Sequence, residues 1–250
     1  MRYNQLLGHM ENEKELVPIG EAAELLGVSI MTLRRWDESG RFPSIRKKPG
    51  GDRYYKRQDI EIFMGDLLAF ARDWAFGAAE FPKNFYCQTS AIFQTRLVRM
   101  QDDMIRSGTV PELFSLLVSI TGEMGNNSYD HNLGLWPDTP GVFFGYDLHK
   151  KQIVLADRGI GILHTLKRVR PELQNAEDAL RVAFTEVVSG RAPEGRGNGL
   201  KYVREVISEN SFTLFFQTGD AELAMKAKDP NFVITKSKGT LQGCIVLISY

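Results

Sequence analysis

Cysteine, net charge and long apolar runs are all scarce in this sequence. Its two cysteines, Cys87 and Cys244, lie far apart, which argues against a disulfide framework and predicts reduced, structural thiols in the cytoplasm. Lysine plus arginine balances aspartate plus glutamate at 31 each, so the total charge gives no argument for a nucleic-acid partner. No apolar run approaches the ~20 residues of a membrane span, and the first residues lack a signal-peptide core.

The composition is that of an ordinary globular protein. With 43% apolar and 25% charged residues, the 250-residue chain has room for one large domain or two smaller ones. It contains no internal repeat and no low-complexity segment. We expect residues 1–15, which are polar, to be loosely ordered.

A helix is predicted from Pro111 by apolar residues at three- and four-residue steps. On it, Glu123 and Asn127 are four residues apart and share one face, with Asp130 and His131 one turn further on. Asparagine offers an oxygen ligand to Mg²⁺, and glutamate can take a proton from a water or a hydroxyl. The alternative is a helix whose exposed polar face has no chemical role.

A strand signal precedes the second cluster. The apolar run 152–156 ends at Asp157, and the run 142–148 predicts a partner strand across a turn. Gly159 and Gly161 follow, where the backbone bends or approaches another group closely. A buried acid at this position can accept a hydrogen bond from an exocyclic amine such as that of adenine. The alternative is an ordinary Asx turn at a strand end.

The third cluster opens another helix. Gly195, Gly197 and Gly199 precede the helical apolar pattern that begins at Leu200. Free backbone N–H groups at a glycine-rich helix start bind anions, so phosphate is the expected ligand. The small and charged residues of 190–199 predict a mobile lid.

Taken singly these clusters are weak, but their order resembles that of the GHKL superfamily, which includes gyrase-type ATPases, histidine kinases, MutL and the anti-sigma-factor serine kinases. Lys238-Gly239-Thr240 before the last apolar run is similar to the closing segment of that family. The resemblance covers Gln88 to Tyr250. It implies an α/β, Bergerat-type ATP-binding fold, a two-layer sandwich in which a mixed sheet carries helices on one face.

The resemblance also implies roles for individual residues in binding ATP and Mg²⁺. Glu123 matches the general base, Asn127 the Mg²⁺ ligand and Asp157 the adenine-reading acid. The remaining nucleotide-site residues that it implies are Asp130, His131, Gly159, Gly161, Gly195, Gly197, Gly199, Leu200 and Thr240. The spacing of Glu123, Asn127 and His131 is similar to that of the anti-sigma kinases. Arg158 departs from the family, which has smaller or uncharged residues at that position.

The N-terminal part predicts a helix-turn-helix. A helix from Pro18 is stopped by Gly27, and a second helix, 31–39, is capped by Ser29 and ends at Gly40. The second helix of such a motif enters the DNA major groove. A basic hairpin follows around Gly50-Gly51, with Arg41, Arg46, Lys47, Lys48, Arg53, Lys56 and Arg57. The neutral net charge of the chain therefore combines a basic N-terminal region with a more acidic remainder.

This stretch, residues 19–60, resembles the winged helix-turn-helix of the MerR and excisionase type. The expected contacts with double-stranded DNA are Thr32, Arg34, Arg35, Arg46, Lys47, Lys48 and Arg53. The alternative is a small helical docking domain whose basic loop is merely solvated.

The expected organisation is a flexible segment 1–15, a MerR-like DNA-binding domain 16–62, a linker or dimerisation helix 63–87 and an ATP-binding domain 88–250. The apolar pattern of residues 59–80 predicts one continuous helix. MerR relatives often dimerise through a helix placed here, although it can equally pack on the C-terminal domain.

Three functions remain open from the sequence. The first is a DNA-binding regulator whose ATP state controls dimerisation or DNA affinity, with hydrolysis when water is the nucleophile. The second is a serine/threonine protein kinase of anti-sigma type, which transfers phosphate to a partner protein and uses the helix-turn-helix as a docking arm. The third is a domain that binds nucleotide without turnover. A histidine autokinase is disfavoured because no histidine lies between His9 and His131.

Overall fold

A computed structural model describes residues 16–26, 28–40, 42–77, 85–188 and 198–250, without the side chains of residues 58, 61 and 62. The chain divides into two compact units, residues 1–66 and residues 67–250. Each unit has its own buried core.

The N-terminal unit is a small helical domain with a three-stranded antiparallel sheet, ordered β1-β3-β2. Ser29 caps the second helix by accepting a hydrogen bond from the Thr32 backbone N–H at 3.1 Å, and Gly40 follows that helix with a φ of +71°. The elements are β1 (Leu16–Pro18), α1 (Ile19–Leu25), α2 (Ile30–Glu38), β2 (Ile45–Arg46), β3 (Arg53–Lys56) and α3 (Arg57–Met64).

The core of this unit is aromatic and aliphatic. Phe42 stacks on Tyr55 with ring centroids 5.3 Å apart, and Leu33 is fully buried on the inner face of α2. Trp36 of α2 packs against Phe63 of α3 with ring centroids 5.3 Å apart. These contacts fix α2 so that its other face is exposed.

The C-terminal unit is built on a five-stranded sheet, ordered β4-β5-β6-β8-β7. Its elements are α4 (Leu67–Ala75), β4 (Tyr86–Cys87), α5 (Ser90–Arg106), α6 (Pro111–Asn132), β5 (Val142–Asp147), β6 (Gln152–Asp157), α7 (Gly161–Leu166), α8 (Ala176–Thr185), α9 (Gly199–Glu209), β7 (Thr213–Met225) and β8 (Phe232–Ser249). Every neighbouring pair is antiparallel, so the prediction of a mixed sheet was wrong. The reason is that the chain crosses to the far edge before β7, and β8 then returns beside β6 in the antiparallel sense.

One face of the sheet carries α5, α6, α8 and α9. Apolar residues of these helices, such as Met100, Ile120, Phe184 and Val206, form a single core with the inward-facing side chains of the strands. Helices α5 and α6 pack closely where Gly125 of α6 faces Phe93 of α5. A Cβ placed on Gly125 would lie only 2.1 Å from the Phe93 ring. This layer holds α6 and α9 above the end of β6.

The opposite face carries α4, so the sheet is covered on both faces and not on one, as the sequence had suggested. Trp74 and Phe143 have ring centroids 6.2 Å apart, and Leu67 lies against Gly145. The helix expected over residues 59–80 is two helices, because the chain leaves the helical path between Met64 and Leu67; residues 78–80 lie outside the described part. The buried residues of α4 face the sheet, whereas Phe70 of the same helix is exposed, so a homodimer through residues 59–80 stays a prediction.

Within the described ranges, no helix is long and apolar enough to cross a membrane.

Candidate functional site

A pocket opens in the C-terminal unit between the sheet and the helices of one face. It contains about 930 Å³ of space that is continuous with solvent. It lies where the C-terminal half of α6, the end of β6 and the start of α9 meet. The residues that line it are Met124, Asn127, Ser128, His131, Asn132, Leu155, Ala156, Asp157, Gly161, Ile162, Thr165, Leu166, Ala183, Val188, Gly199, Leu200, Phe216, Cys244 and Val246.

Asp157 forms the polar floor of this pocket. It is only 2% exposed, and its two carboxylate oxygens accept hydrogen bonds from the Ser128 hydroxyl at 2.8 Å and the Gly159 backbone N–H at 2.9 Å. Burial raises the pKa of Asp157 to about 6, and these neutral donors offset the rise only in part. A carboxylate held in a cleft without a countercharge is typical of a functional site.

Two glycines let the backbone close around this acid. Gly161 begins α7 with a φ of +75°, and a Cβ on it would lie 2.7 Å from the Gln242 carbonyl oxygen. A Cβ on Gly243 of β8 would lie 2.1 Å from the Asp157 carbonyl oxygen. No sequence motif points to Gly243, and its only signal is its position directly before the apolar run 244–248.

The strand register places Cys244, and not Thr240, beside the acid. Cys244 pairs with Asp157 on one side and with Thr218 on the other. Burial and the neighbouring Asp157 raise the pKa of the Cys244 thiol well above its ordinary value. Thr240, expected to precede the last strand, lies inside β8, is exposed and does not line the pocket.

The mouth of the pocket brings α6 and α9 together. Gly199 is the first residue of α9, and a Cβ on it would lie 2.8 Å from the Glu123 Oε2 atom and 3.3 Å from the Asn127 Nδ2 atom. Glu123 is exposed, whereas Asn127 is half-buried. The N-terminal end of α9, where the first backbone N–H groups of a helix have no partner within the helix, therefore faces both polar side chains.

The other predicted residues divide into three groups. His131, Leu200 and Gly161 line the same pocket, and Gly159 lies directly behind Asp157. Asp130 is exposed on α6 and does not line the pocket. Gly195 and Gly197, with most of the expected lid, lie outside the described residues.

Arg158 is accommodated on the other side of the strand end. Its guanidinium forms an ion pair with Asp138 and lies 3.4 Å from the position that a Cβ on Gly77 would occupy. It does not line the pocket. A charged residue in this motif therefore leaves the environment of Asp157 uncharged.

The part of the chain that the structure describes contains no group of three or more His, Cys, Asp or Glu side chains that could hold a metal ion by themselves. Any metal in the pocket would need oxygen ligands from a bound molecule and from water.

In the N-terminal unit, α2 presents a polar outer face. Arg34 and Arg35 of α2 are exposed, while Leu33 of the same helix is buried. The Thr32 hydroxyl lies 2.9 Å from the Ser29 hydroxyl, so it belongs to the helix cap. The two arginines are thus the side chains of α2 best placed to meet phosphates or base edges.

The strands β2 and β3 form the predicted hairpin, and Asp37 of α2 ties it to the helix. Its carboxylate accepts hydrogen bonds from the Arg53 Nε at 2.6 Å, the Ser44 backbone N–H at 2.7 Å and Arg46 at 3.2 Å. Burial opposes ionisation, but these donors lower the pKa of Asp37 to about 2. The structure therefore places Arg46 and Arg53, both expected to contact DNA, in an internal ion-pair network.

The lysines of the hairpin remain on its surface. Lys47 is exposed and lies 5.3 Å over the Tyr54 ring, and Lys48 is exposed beside the Gly50-Gly51 turn. Between residues 29 and 57 the chain has nine lysines and arginines against three acids. This concentration of positive charge is the electrostatic pattern of a nucleic-acid interface.

Comparison with known proteins assigns this first region. Residues 18–55 match the family described as MerR family regulatory protein. The chain is similar to the transcriptional repressor DcmR of Methylorubrum extorquens, 42% identical over 53 residues that make up 21% of this chain and 20% of that protein. It is also similar to the type II methyltransferase M.Eco47II of Escherichia coli, 38% identical over 61 residues, 24% of this chain and 15% of that protein.

The chain therefore spans only about a fifth or less of the lengths of these relatives. The match confirms a MerR-family helix-turn-helix segment at the N-terminus.

Proposed function

We propose that the C-terminal unit binds Mg-ATP and that its nucleotide state controls DNA binding by the MerR-like unit. The protein would then be a nucleotide-regulated transcription factor or a DNA-associated ATPase. The observation that carries this proposal is the buried, uncompensated Asp157 in a pocket whose mouth holds Glu123 and Asn127 against the first residue of α9.

The floor of the pocket suits adenine. The Asp157 carboxylate can accept a hydrogen bond from the exocyclic amine, and apolar walls from Leu155, Ile162 and Val246 can cover the faces of the base. Guanine presents a carbonyl oxygen where adenine has its amine, and the ionised acid would repel it.

The mouth of the pocket suits phosphates with a magnesium ion. Free N–H groups at the start of α9 favour an anion, and the Asn127 side-chain oxygen offers one hard ligand. Magnesium keeps several waters and takes further oxygens from phosphates, so it needs no dedicated cage of acidic side chains. Glu123, beside Gly199, is placed to take a proton from an attacking oxygen nucleophile.

A serine/threonine kinase is the second candidate, and the exposure of Glu123 favours it. A base at an open pocket mouth can serve the hydroxyl of a partner protein as well as it serves water. In that case the MerR-like unit would bring the kinase to its target.

A thermal melt with and without Mg-ATP, followed by a phosphate-release assay on the same sample, tests nucleotide binding and turnover. Ligand at a hundred times its dissociation constant stabilises a protein by about 2.7 kcal/mol. A shift with phosphate release supports the ATPase, and a shift without release, together with labelling of a partner by γ-labelled ATP, supports the kinase. An unchanged melting temperature contradicts nucleotide binding.

Fluorescence anisotropy with promoter fragments then tests the coupling. DNA affinity should differ between the nucleotide-free, ATP-bound and ADP-bound protein, because a ligand shifts a conformational equilibrium only through different affinities for its two states. Equal affinities in all three conditions would rule out nucleotide control of DNA binding.

Glu123→Ala separates binding from chemistry. We expect ATP affinity to change by less than about threefold, because Glu123 lies at the exposed mouth, while turnover falls by a factor of ~10² to 10⁴ through loss of a general base. Calorimetry gives the affinity, and phosphate release or transfer gives the rate. Glu112→Ala, at the start of the same helix, is a matched control that should change neither. Equal loss of binding and turnover in Glu123→Ala would refute the role of base.

A further inference from the structure

We infer that Asn132 is a positioning residue that sets the base specificity of the pocket. This inference rests on the proposed nucleotide site and deepens it, because Asn132 acts on the recognition of the base through Asp157. Asn132 is the last residue of α6 and is only 4% exposed. No motif of the sequence singled it out.

The carboxamide of Asn132 joins α6 to the loop that follows β6. Its Nδ2 donates to the Ser128 carbonyl oxygen at 2.7 Å, and its Oδ1 accepts from the Ile160 backbone N–H at 2.8 Å. A carbonyl can only accept and a backbone amide can only donate, so these two partners fix the orientation of the carboxamide. A buried side chain with both ends bonded holds its two neighbours at a set spacing.

These neighbours are tied to the two groups that hold Asp157. Ser128, whose carbonyl Asn132 binds, donates its hydroxyl to one carboxylate oxygen, and Gly159, which precedes Ile160, donates its N–H to the other. Asn132 therefore determines where both donors stand and, through them, the direction of the carboxylate.

The requirement for glycine at position 159 follows from the same carboxamide. A Cβ placed on Gly159 would lie 2.1–2.3 Å from the Asn132 Nδ2, Oδ1 and Cγ atoms, and these are its three nearest neighbours. The φ of Gly159 is not in the left-handed region, so the backbone itself would accept alanine. Asn132 and Gly159 thus form a matched pair in which one side chain occupies the space that the other leaves.

The test measures affinities for Mg-ATP and Mg-GTP by calorimetry, using the full chain and its variants. In Asn132→Ala we expect ATP affinity to fall about tenfold and the preference for ATP over GTP to shrink by a similar factor, because the carboxylate is no longer aimed. Asn126→Ala is the matched control, because Asn126 lies on the same helix and does not line the pocket. Its Oδ1 atom accepts a hydrogen bond from the Gln94 Nε2 at 2.8 Å. It should keep both affinities.

A double-mutant cycle sharpens the result. Gly159→Ala should weaken ATP binding in the natural background and have little further effect in Asn132→Ala, where the obstructing carboxamide is gone. Additive effects would overturn the matched pair. Wild-type preference for ATP in Asn132→Ala, with only a lower melting temperature, would show that Asn132 is merely structural.

Two further results keep the inference open to refutation. If Asn132→Ala does not fold, Asn132→Asp keeps the size of the side chain and loses the donor to the Ser128 carbonyl oxygen. Full ATP affinity in that variant would overturn the inference. If the natural chain binds neither nucleotide, the proposed function fails, and the cycle measured on melting temperatures still decides whether the two residues are coupled.

Discussion

Asp37 in the N-terminal unit and Asp157 in the C-terminal unit are both shielded carboxylates, and their environments shift their pKa values in opposite directions. Asp37 bonds two arginines and a backbone amide, and its pKa falls to about 2. Asp157 has a hydroxyl and backbone amides as its donors, and its pKa rises to about 6. The charge of Asp37 is compensated by arginines of the same unit, whereas Asp157 has only neutral donors and would be stabilised by a further donor or a positive charge.

This difference separates a structural acid from a recognition acid. The Asp37 network holds the hairpin against α2, and its partners are residues of the same unit. Asp157 faces a pocket, and a donor from a bound molecule would lower the cost of its burial. The comparison predicts that removing each charge has opposite consequences.

The largest expected effect is on nucleotide binding by Asp157→Asn. We expect ATP affinity to fall roughly a thousandfold, because the amide presents a donor, or a weaker acceptor, to the exocyclic amine. Calorimetry measures the loss. Asp138→Asn is the matched control, because Asp138 pairs with Arg158 in the neighbouring loop and does not line the pocket. Equal loss in the control would mean that the neighbourhood, and not the acid, is responsible.

The next effect concerns the stability of the nucleotide-free protein as a function of pH. The pKa of Asp157 is raised from 3.8 to about 6, so its contribution to stability is fully present below pH 4 and is lost as the pH rises through 6. Relative to Asp157→Asn, the natural protein should lose on the order of 3 kcal/mol of unfolding free energy across this window. Urea unfolding of both proteins at pH 4 to 7 measures the difference. A constant difference would contradict the raised pKa.

Asp37→Asn should have the opposite effect, because it removes a favourable charge. We expect the N-terminal unit to lose about 2 kcal/mol of stability, since arginines that were paired keep only a neutral partner. Hydrogen exchange of the α2 and hairpin amides would report the loss, and DNA affinity should fall with it while ATP affinity stays unchanged. Retention of DNA affinity would show that the network does not organise the DNA-binding surface.

The smallest effect is expected for an exposed arginine outside that network. Arg34→Ala should weaken DNA binding by about 1 kcal/mol and lower the slope of log affinity against log salt by about one unit if it contacts a phosphate. Arg57→Ala is the control, because Arg57 is a similarly exposed arginine that pairs with Glu21 at 2.8 Å. If both variants lower the slope of log DNA affinity against log salt equally, the effect comes from the total charge and not from a contact that Arg34 makes with DNA.

Local patterns in the sequence identified the helix-turn-helix, whose helix stops and cap residue are encoded in neighbouring residues such as Ser29 and Gly40. The MerR match confirms that prediction. The coarse α/β character was also correct, and the nucleotide site stays a prediction. The hairpin β5–β6 follows from its apolar runs and from the turn between them.

Contacts between distant residues could not be read in the same way. The apolar rhythm of α4 is the same whichever surface covers it, so the sequence left open whether it packs on the sheet. The Asp37 network joins residues up to 16 positions apart, and no local pattern encodes it. The position of Cys244 opposite Asp157 depends on strand register, and a change of one residue turns every side chain to the other face.

The position of α4 on the back of the sheet decides how the protein can be divided. A fragment that begins at residue 88 lacks both α4 and the β4 edge strand, and leaves Phe143 and Gly145 of β5 uncovered. A fragment that begins at Leu67 retains them, because the second compact unit begins at this residue. Helix α4, which the sequence placed in a linker between two domains, therefore belongs to the C-terminal unit that contains the pocket. Only Gly65 and Asp66 separate it from α3 along the chain.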